Sequence, residues 1–361
     1  MSRSHIPEPV GTRRQERLPA IVAVVVVTVQ VLFVFCLAYP PLHAEPHGVP
    51  IGLVGPSRAV AQASAPLAGR SNAFDLHRYP DVDAARRAIS DRDIYGAFAV
   101  DSTGPEVLVA SAADPKVADF LTRAADNLGA GRPVRVVDVV PAPGADPQGT
   151  GALTTLLPLI LLSVVLGAVL GLLEPVTSAL AGWCLAAALA AGLAVAGLAT
   201  GLGTFTGAYW GDAGVLALLM FGIAATSAGL ARRRSLRPVL GVFTLTMLLI
   251  GIPSAGALVP PDLLPQPWRA TGPWLPPAAA LDALRGVTFF DGARIGASMA
   301  VLAGWALFGA LLVLVPTRAN PLPHEHRRHQ PRVGGGRPGR TAAPAANPTA
   351  ATSHPAATST A

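Results

Sequence analysis

The chain has 361 residues, 51% of them hydrophobic and only 13% charged, with a formal net charge of +6. Soluble domains carry about 25% charged residues, so the deficit excludes an ordinary soluble protein and points to lipid as part of the solvent. The arginines cluster beside apolar runs, which suits the positive-inside rule better than a nucleic-acid surface; no nucleic-acid partner is expected.

Residues 1–17 are polar, basic and interrupted by Pro7 and Pro9, and read as a short disordered cytoplasmic arm. The apolar run 18–39 is long enough to cross a hydrocarbon core of roughly 30 Å, and too long for a secretory h-region, so it reads as a retained first span ended by Pro40 and Pro41. Residues 40–150 change character. Val49 to Val54 reads as a buried strand, 57–67 as a helix and 73–76 as a strand. An amphipathic helix at 81–92 follows, then strands at 95–100 and 107–110, a helix at 115–128 and a last strand at 134–140. Alternation of this kind predicts a small α/β layer structure, and its length of about 90 residues allows autonomous folding.

After a Pro/Gly linker come five apolar runs of spanning length, near 153–173, 179–200, 214–230, 239–258 and 295–315. The expected fold is therefore an α-helical polytopic membrane protein of about six transmembrane helices, with an extracytoplasmic α/β domain inserted after the first. Residues 151–316 form the five-helix part, and 317–361 a disordered cytoplasmic tail. Arginine clusters at 13–17, 232–237 and 318–332 fall on one side under six spans, which puts both termini in the cytoplasm of a cell-membrane protein.

Small residues recur every fourth position at Ser163, Gly167 and Gly171, and again at Gly197 and Gly201, a pattern that lets helix backbones approach closely. No Asp, Glu, Lys, Arg or His falls in the middle of a predicted span, which argues against an ion-coupled pump. Lys116, the only lysine, lies outside any Gly-Lys-Ser/Thr loop, so the chain has no P-loop of its own. His324, Glu325, His326 and His329 lack zinc-site spacing, and Asp75 and His77 are close without a nucleophile; no metal, cofactor or catalytic residue is expected. Cys36 and Cys184 both fall in predicted spans and read as small apolar residues. The segment 259–294 holds Trp268 and Trp274, suited to the headgroup level, and a short helix at 278–284 before the last span, an interfacial or re-entrant element.

Three stretches carry a family resemblance. They are Pro50-Ile51-Gly52-Leu53-Val54-Gly55-Pro56, then Ala84 to Ile89 through Tyr95-Gly96-Ala97-Phe98, and Leu275-Pro276-Pro277 through Phe289-Phe290-Asp291-Gly292. On these residues, and on the order of one span, a domain and five spans, the chain resembles the ABC type-2 permease superfamily, in its phage-infection-protein (Pip-like) branch of bacterial membrane proteins. The resemblance implies a permease-like subunit of an exporter, and the expected function is export of an amphiphilic or lipid-like compound by a homodimer energised by a separate ATP-binding subunit. Such permeases dock that subunit after the second span, where this chain has only 174–178; Arg232, Arg233, Arg234 and Arg237 offer an alternative docking surface. A receptor or envelope scaffold with an extracytoplasmic binding domain is the alternative function.

Overall fold

The structure is a computed structural model in which residues 12–56, 73–101, 104–128 and 134–315 are described. The expected arm up to residue 11, the helix at 57–67 and the tail beyond residue 315, with its histidines, lie outside the described residues. Among the described residues six helices are long and apolar enough to cross a membrane, which is compatible with a polytopic membrane protein. A small α/β region follows the first of them.

Helix α1 (Thr12–Leu42) begins inside the expected arm and runs past the expected stop. Pro40 and Pro41 sit in its last turn, where they remove two donors without ending the helix, and the His43 amide closes it by donating to Tyr39 O at 3.1 Å. The domain that follows is one five-stranded sheet in the order β2-β1-β3-β4-β5. β1 (Val49–Val54) lies between β2 (Phe74–Tyr79) and β3 (Gly96–Asp101), parallel to both; β4 (Gly104–Val109) is antiparallel to β3 and parallel to β5 (Arg135–Asp138). An interior strand must be apolar on both faces, and Val49, Ile51, Leu53 and Val54 are all buried. Helix α2 (Val82–Ser90) starts where the Asp81 carboxylate accepts from the Ala84 amide at 2.6 Å. Helix α3 (Pro115–Leu128) starts where Asp114 accepts from the Lys116 and Val117 amides at 2.9 and 3.1 Å.

Residues 151–315 are built around one helix. α4 (Gly151–Leu173), α5 (Thr177–Gly201) and α9 (Gly296–Leu314) all pack on α6 (Tyr209–Arg232). In the most apolar stretch of α6, 83% is buried inside the protein, against 0% for α1. α6 is therefore enclosed by protein, while α1 shows its valines outward.

The fourth expected interhelical run ends earlier than read. α7 (Arg237–Thr246) continues into a π-helical turn (Met247–Gly251) and stops at the 3-10 turn Pro253–Ala255, because Pro253 has no amide to donate. Residues 256–275 then fold as short turns, including Trp268–Thr271 and Gly272–Trp274. The expected seven-residue helix is longer in the structure, α8 (Pro276–Phe289), with both prolines in its first turn, where missing amides cost nothing. Gly286 does not stop it. A side chain there would meet Ile295 Cγ2 at 2.3 Å, so this glycine serves close packing between α8 and the start of α9.

The α/β domain does not close its core alone. Leu263 joins the apolar cluster on one side of the sheet, and Phe289, Phe290 and Ala293 join the other.

Candidate functional site

The segment between α7 and α9 forms a platform under the α/β domain, and side chains from both parts meet there. Arg92 reaches over the Phe290 ring, 5.6 Å from its centre, and its Nη2 donates to Asp282 Oδ1 at 2.5 Å. Arg294 Nη1 donates to Asp93 Oδ1, also at 2.5 Å. Tyr95 OH donates to Asp262 Oδ2 at 3.0 Å, and Lys116 Nζ donates to the Leu258 carbonyl. Burial pushes the Asp262 carboxyl up from the usual carboxylate range, against the opposing pull of the Tyr95 hydroxyl and Arg269. Burial likewise raises Asp114, opposed by Arg285. Burial and the Asp262 charge push the Tyr95 hydroxyl well above its ordinary value.

Beside these contacts lies a cavity of about 870 Å³ between the platform, α8 and α9. Ligand sites span about 300–1,000 Å³, so this space is large enough for a sizeable molecule. Its polar lining is Arg269, Arg285, Asp282, Ser254 and Ser298; its apolar lining includes Trp274, Val301, Gly304, Trp305 and Phe308. The wall is pinned across the cavity, where Trp305 Nε1 donates to the Trp274 carbonyl at 3.0 Å. A second hollow of about 520 Å³ lies at the domain junction, around Asp91, Val140, Phe290 and Asp291.

The residues singled out from the sequence separate into several places. Ser163, Gly167 and Gly171 face α6, where a side chain at Gly167 would meet the Ala224 carbonyl at 2.1 Å and one at Gly171 the Ala228 carbonyl at 2.3 Å. Gly197 and Gly201 do not repeat this. Gly197 has only Tyr209 at 3.8 Å and Gly201 has nothing within 4 Å, because α5 meets α6 through Gly192 instead. Trp268 is enclosed by protein. It is 5% exposed, stacks on Tyr39 with ring centres 5.7 Å apart, and donates to the Leu249 carbonyl at 3.1 Å. Trp274, at 73% exposure, remains outward.

The arginine cluster is largely occupied. Arg232 donates to the carbonyls of Pro175 and Val313, Arg233 to those of Gly229, Leu312 and Val315, and Arg237 to that of Ala231. These carbonyls lie at the ends of α6 and α9 and in the α4–α5 turn, where the chain has orphan acceptors and negative dipole ends. Among the described residues Arg234 alone of the four makes no such bond, and it is exposed.

The sequence reading missed Asp212, which it left in a loop before the span. α6 starts earlier, at Tyr209, and Asp212 is fully buried, with Oδ1 accepting from Thr288 Oγ1 at 2.7 Å and Oδ2 without a hydrogen-bond partner among the described residues. Asp75 and His77 form an exposed pair at 3.1 Å on β2. Among the described residues no three His, Cys, Asp or Glu side chains group as metal ligands.

No family model, no curated protein and no solved structure matches this chain.

Proposed function

We propose that the chain is the membrane-embedded, permease-like subunit of an ABC-type exporter of an amphiphilic compound, energised by a separate ATP-binding subunit and working as a homodimer. The α/β domain stands outside the cell membrane in this reading, and the arginine-rich ends of α6 and α9 face the cytoplasm. The observation that carries it is the cavity beside the platform, lined both by charged and hydroxyl side chains and by apolar residues of α9. That mixed lining suits an amphiphile better than a small soluble metabolite. The family resemblance supports the same reading. The exposed valines of α1 leave a helix free to meet lipid or a second copy.

The occupied guanidinium groups of Arg232, Arg233 and Arg237 narrow the docking surface for an ATPase to Arg234 and the exposed turn around Ser235. The reading is tested by affinity purification of the tagged chain from native membranes, with mass spectrometry of what comes with it. An ATP-binding subunit is expected, and Arg234→Glu should weaken its recovery with the fold intact. Repeated purification with no ATP-binding subunit overturns the exporter and moves the weight to a surface receptor, for which the domain's direct contact with the cavity residue Asp282 is the supporting observation.

A further inference from the structure

We infer that the cavity beside the platform takes an anionic amphiphile, its headgroup held between Arg269 and Arg285 and its apolar part lying along α9. The inference rests on the amphiphile-permease reading and names the class of molecule. The cavity is lined by two guanidinium groups and one carboxylate. That carboxylate is already satisfied: Asp282 Oδ1 accepts from Arg92 and Oδ2 from Ser298 Oγ, each at 2.5 Å. The two arginines are not neutralised in the same way. Arg269 Nη2 donates to the His47 carbonyl at 3.0 Å and Arg285 Nη2 to the Gly256 carbonyl at 2.8 Å. Neither guanidinium pairs with a carboxylate among the described residues. Asp262 and Asp114 feel their charge, but the first accepts from Tyr95 and the second caps α3. Each guanidinium has five N–H donors, so most remain for a ligand. A phosphate or carboxylate headgroup supplies the missing acceptors, in charge-assisted hydrogen bonds that strengthen where apolar walls exclude water.

The apolar part of the lining explains why the anion carries an apolar tail. Val301, Gly304, Trp305 and Phe308 continue the lining about 18 Å along α9 from Gly296. A Cβ at Gly304 would meet nothing within 4 Å, and Trp274 and Phe308 are exposed, so this part opens sideways where lipid chains would lie. A free inorganic anion would leave that surface unused.

Three of the five tryptophans, Trp268, Trp274 and Trp305, line the cavity, which makes their fluorescence a direct reporter. The full chain with Trp183→Phe and Trp210→Phe would be titrated in detergent with phosphatidylglycerol or phosphatidylcholine carrying the same brominated chains. Phosphatidylglycerol should quench with about tenfold higher apparent affinity, the scale of one charge-assisted hydrogen bond. Excess inorganic phosphate should not relieve the quenching. Arg269→Gln with Arg285→Gln should bring the two lipids to within about twofold, a loss of nearly that whole preference. Gly304→Phe grows into open space, so it should keep the melting temperature while removing the headgroup-dependent difference. Equal quenching by both lipids in the parent overturns the inference, as does a preference that survives both sets of variants, or relief by phosphate alone. The outcomes separate from those of the exporter test: a phosphatidylglycerol preference without an ATP-binding partner keeps this site and sinks the exporter, and the converse sinks only the site.

Discussion

Gly167 and Gly201 belong to the same small-residue spacing and meet opposite surroundings. A side chain at Gly167 runs into the Ala224 backbone, whereas one at Gly201 enters open space. Gly167→Leu should therefore lower the melting temperature in detergent by an amount equivalent to about 1–3 kcal/mol or more, while Gly201→Leu should leave it unchanged. Equal behaviour of the two variants would remove the tight α4–α6 contact. Asp262 and Asp114 give a pH dependence of defined sign. Burial raises both folded-state pKa values above the unfolded value, about 3.9 for Asp. Protonation then favours the folded chain: the gain is full below the unfolded value and is lost as pH rises through the folded one. Asp262→Asn and Asp114→Asn keep the shape and remove the charge. Each should raise the melting temperature near neutral pH and flatten the part of the wild-type profile that climbs as pH falls towards about 4. An unchanged slope in both variants would show that these carboxylates sit at ordinary values.

At the scale of elements, the arginines at the ends of α6 and α9 act as clasps. Arg233 bonds three carbonyls from two helices, so Arg233→Gln should cost about 1.5–3 kcal/mol and speed amide exchange in the last turn of α9 before it affects α4. Uniform exchange along α9 would contradict that role. The same residues show where the sequence is legible and where it is not. A run of apolar residues announces a span whatever surrounds it, and the strand and helix periods of the domain are local, so most elements fall within a few residues of expectation. Arg232 and Arg233 look like topology signals because a positive charge beside a span is visible in one dimension, and the carbonyls they bond, from residues 175 and 312–315, are not. Trp268 and Trp274 are likewise equal in sequence, and only the tertiary approach of Tyr39, Val259 and Leu264 buries the first. Asp212 was missed because α6 starts five residues before the expected span at 214, and a carboxylate near a span end reads as loop. The cavity itself is assembled from 254–308 by the fold of the platform and has no local signature.

At the scale of the whole molecule, the domain and the helices share one core boundary. Arg92 holds Asp282, the Phe290 ring and the Ala293 carbonyl together. Both partners are partly exposed, which discounts the pair, and Arg92→Ala should cost about 1–3 kcal/mol, read as faster proteolysis of the domain with the helices still protected. Loss of the domain and the helices in one step would instead mean a single cooperative unit. The crossing pattern is checked by single cysteines at Thr206 and Ser235 in a variant lacking Cys36 and Cys184. Both positions are exposed, one before α6 and one after it, so an impermeant thiol reagent should label the first and not the second in intact cells. Labelling of both, or of Ser235 alone, would overturn the six-span arrangement.

The enclosure of α6 also has a meaning in time. A ribosome delivers α6 to the membrane long before α9, yet Gly222 and Gly229 fit against Trp305 and Leu312 of that last helix, and Thr226 lies against Gly309. Until α9 is made, α6 must present Thr226 without its final neighbour Gly309, a costly state for a polar group in lipid. Nascent chains stalled before Gly296 should therefore be held by insertion chaperones or cleared by membrane proteases, and synthesis of α9 should act as the release signal for the whole bundle.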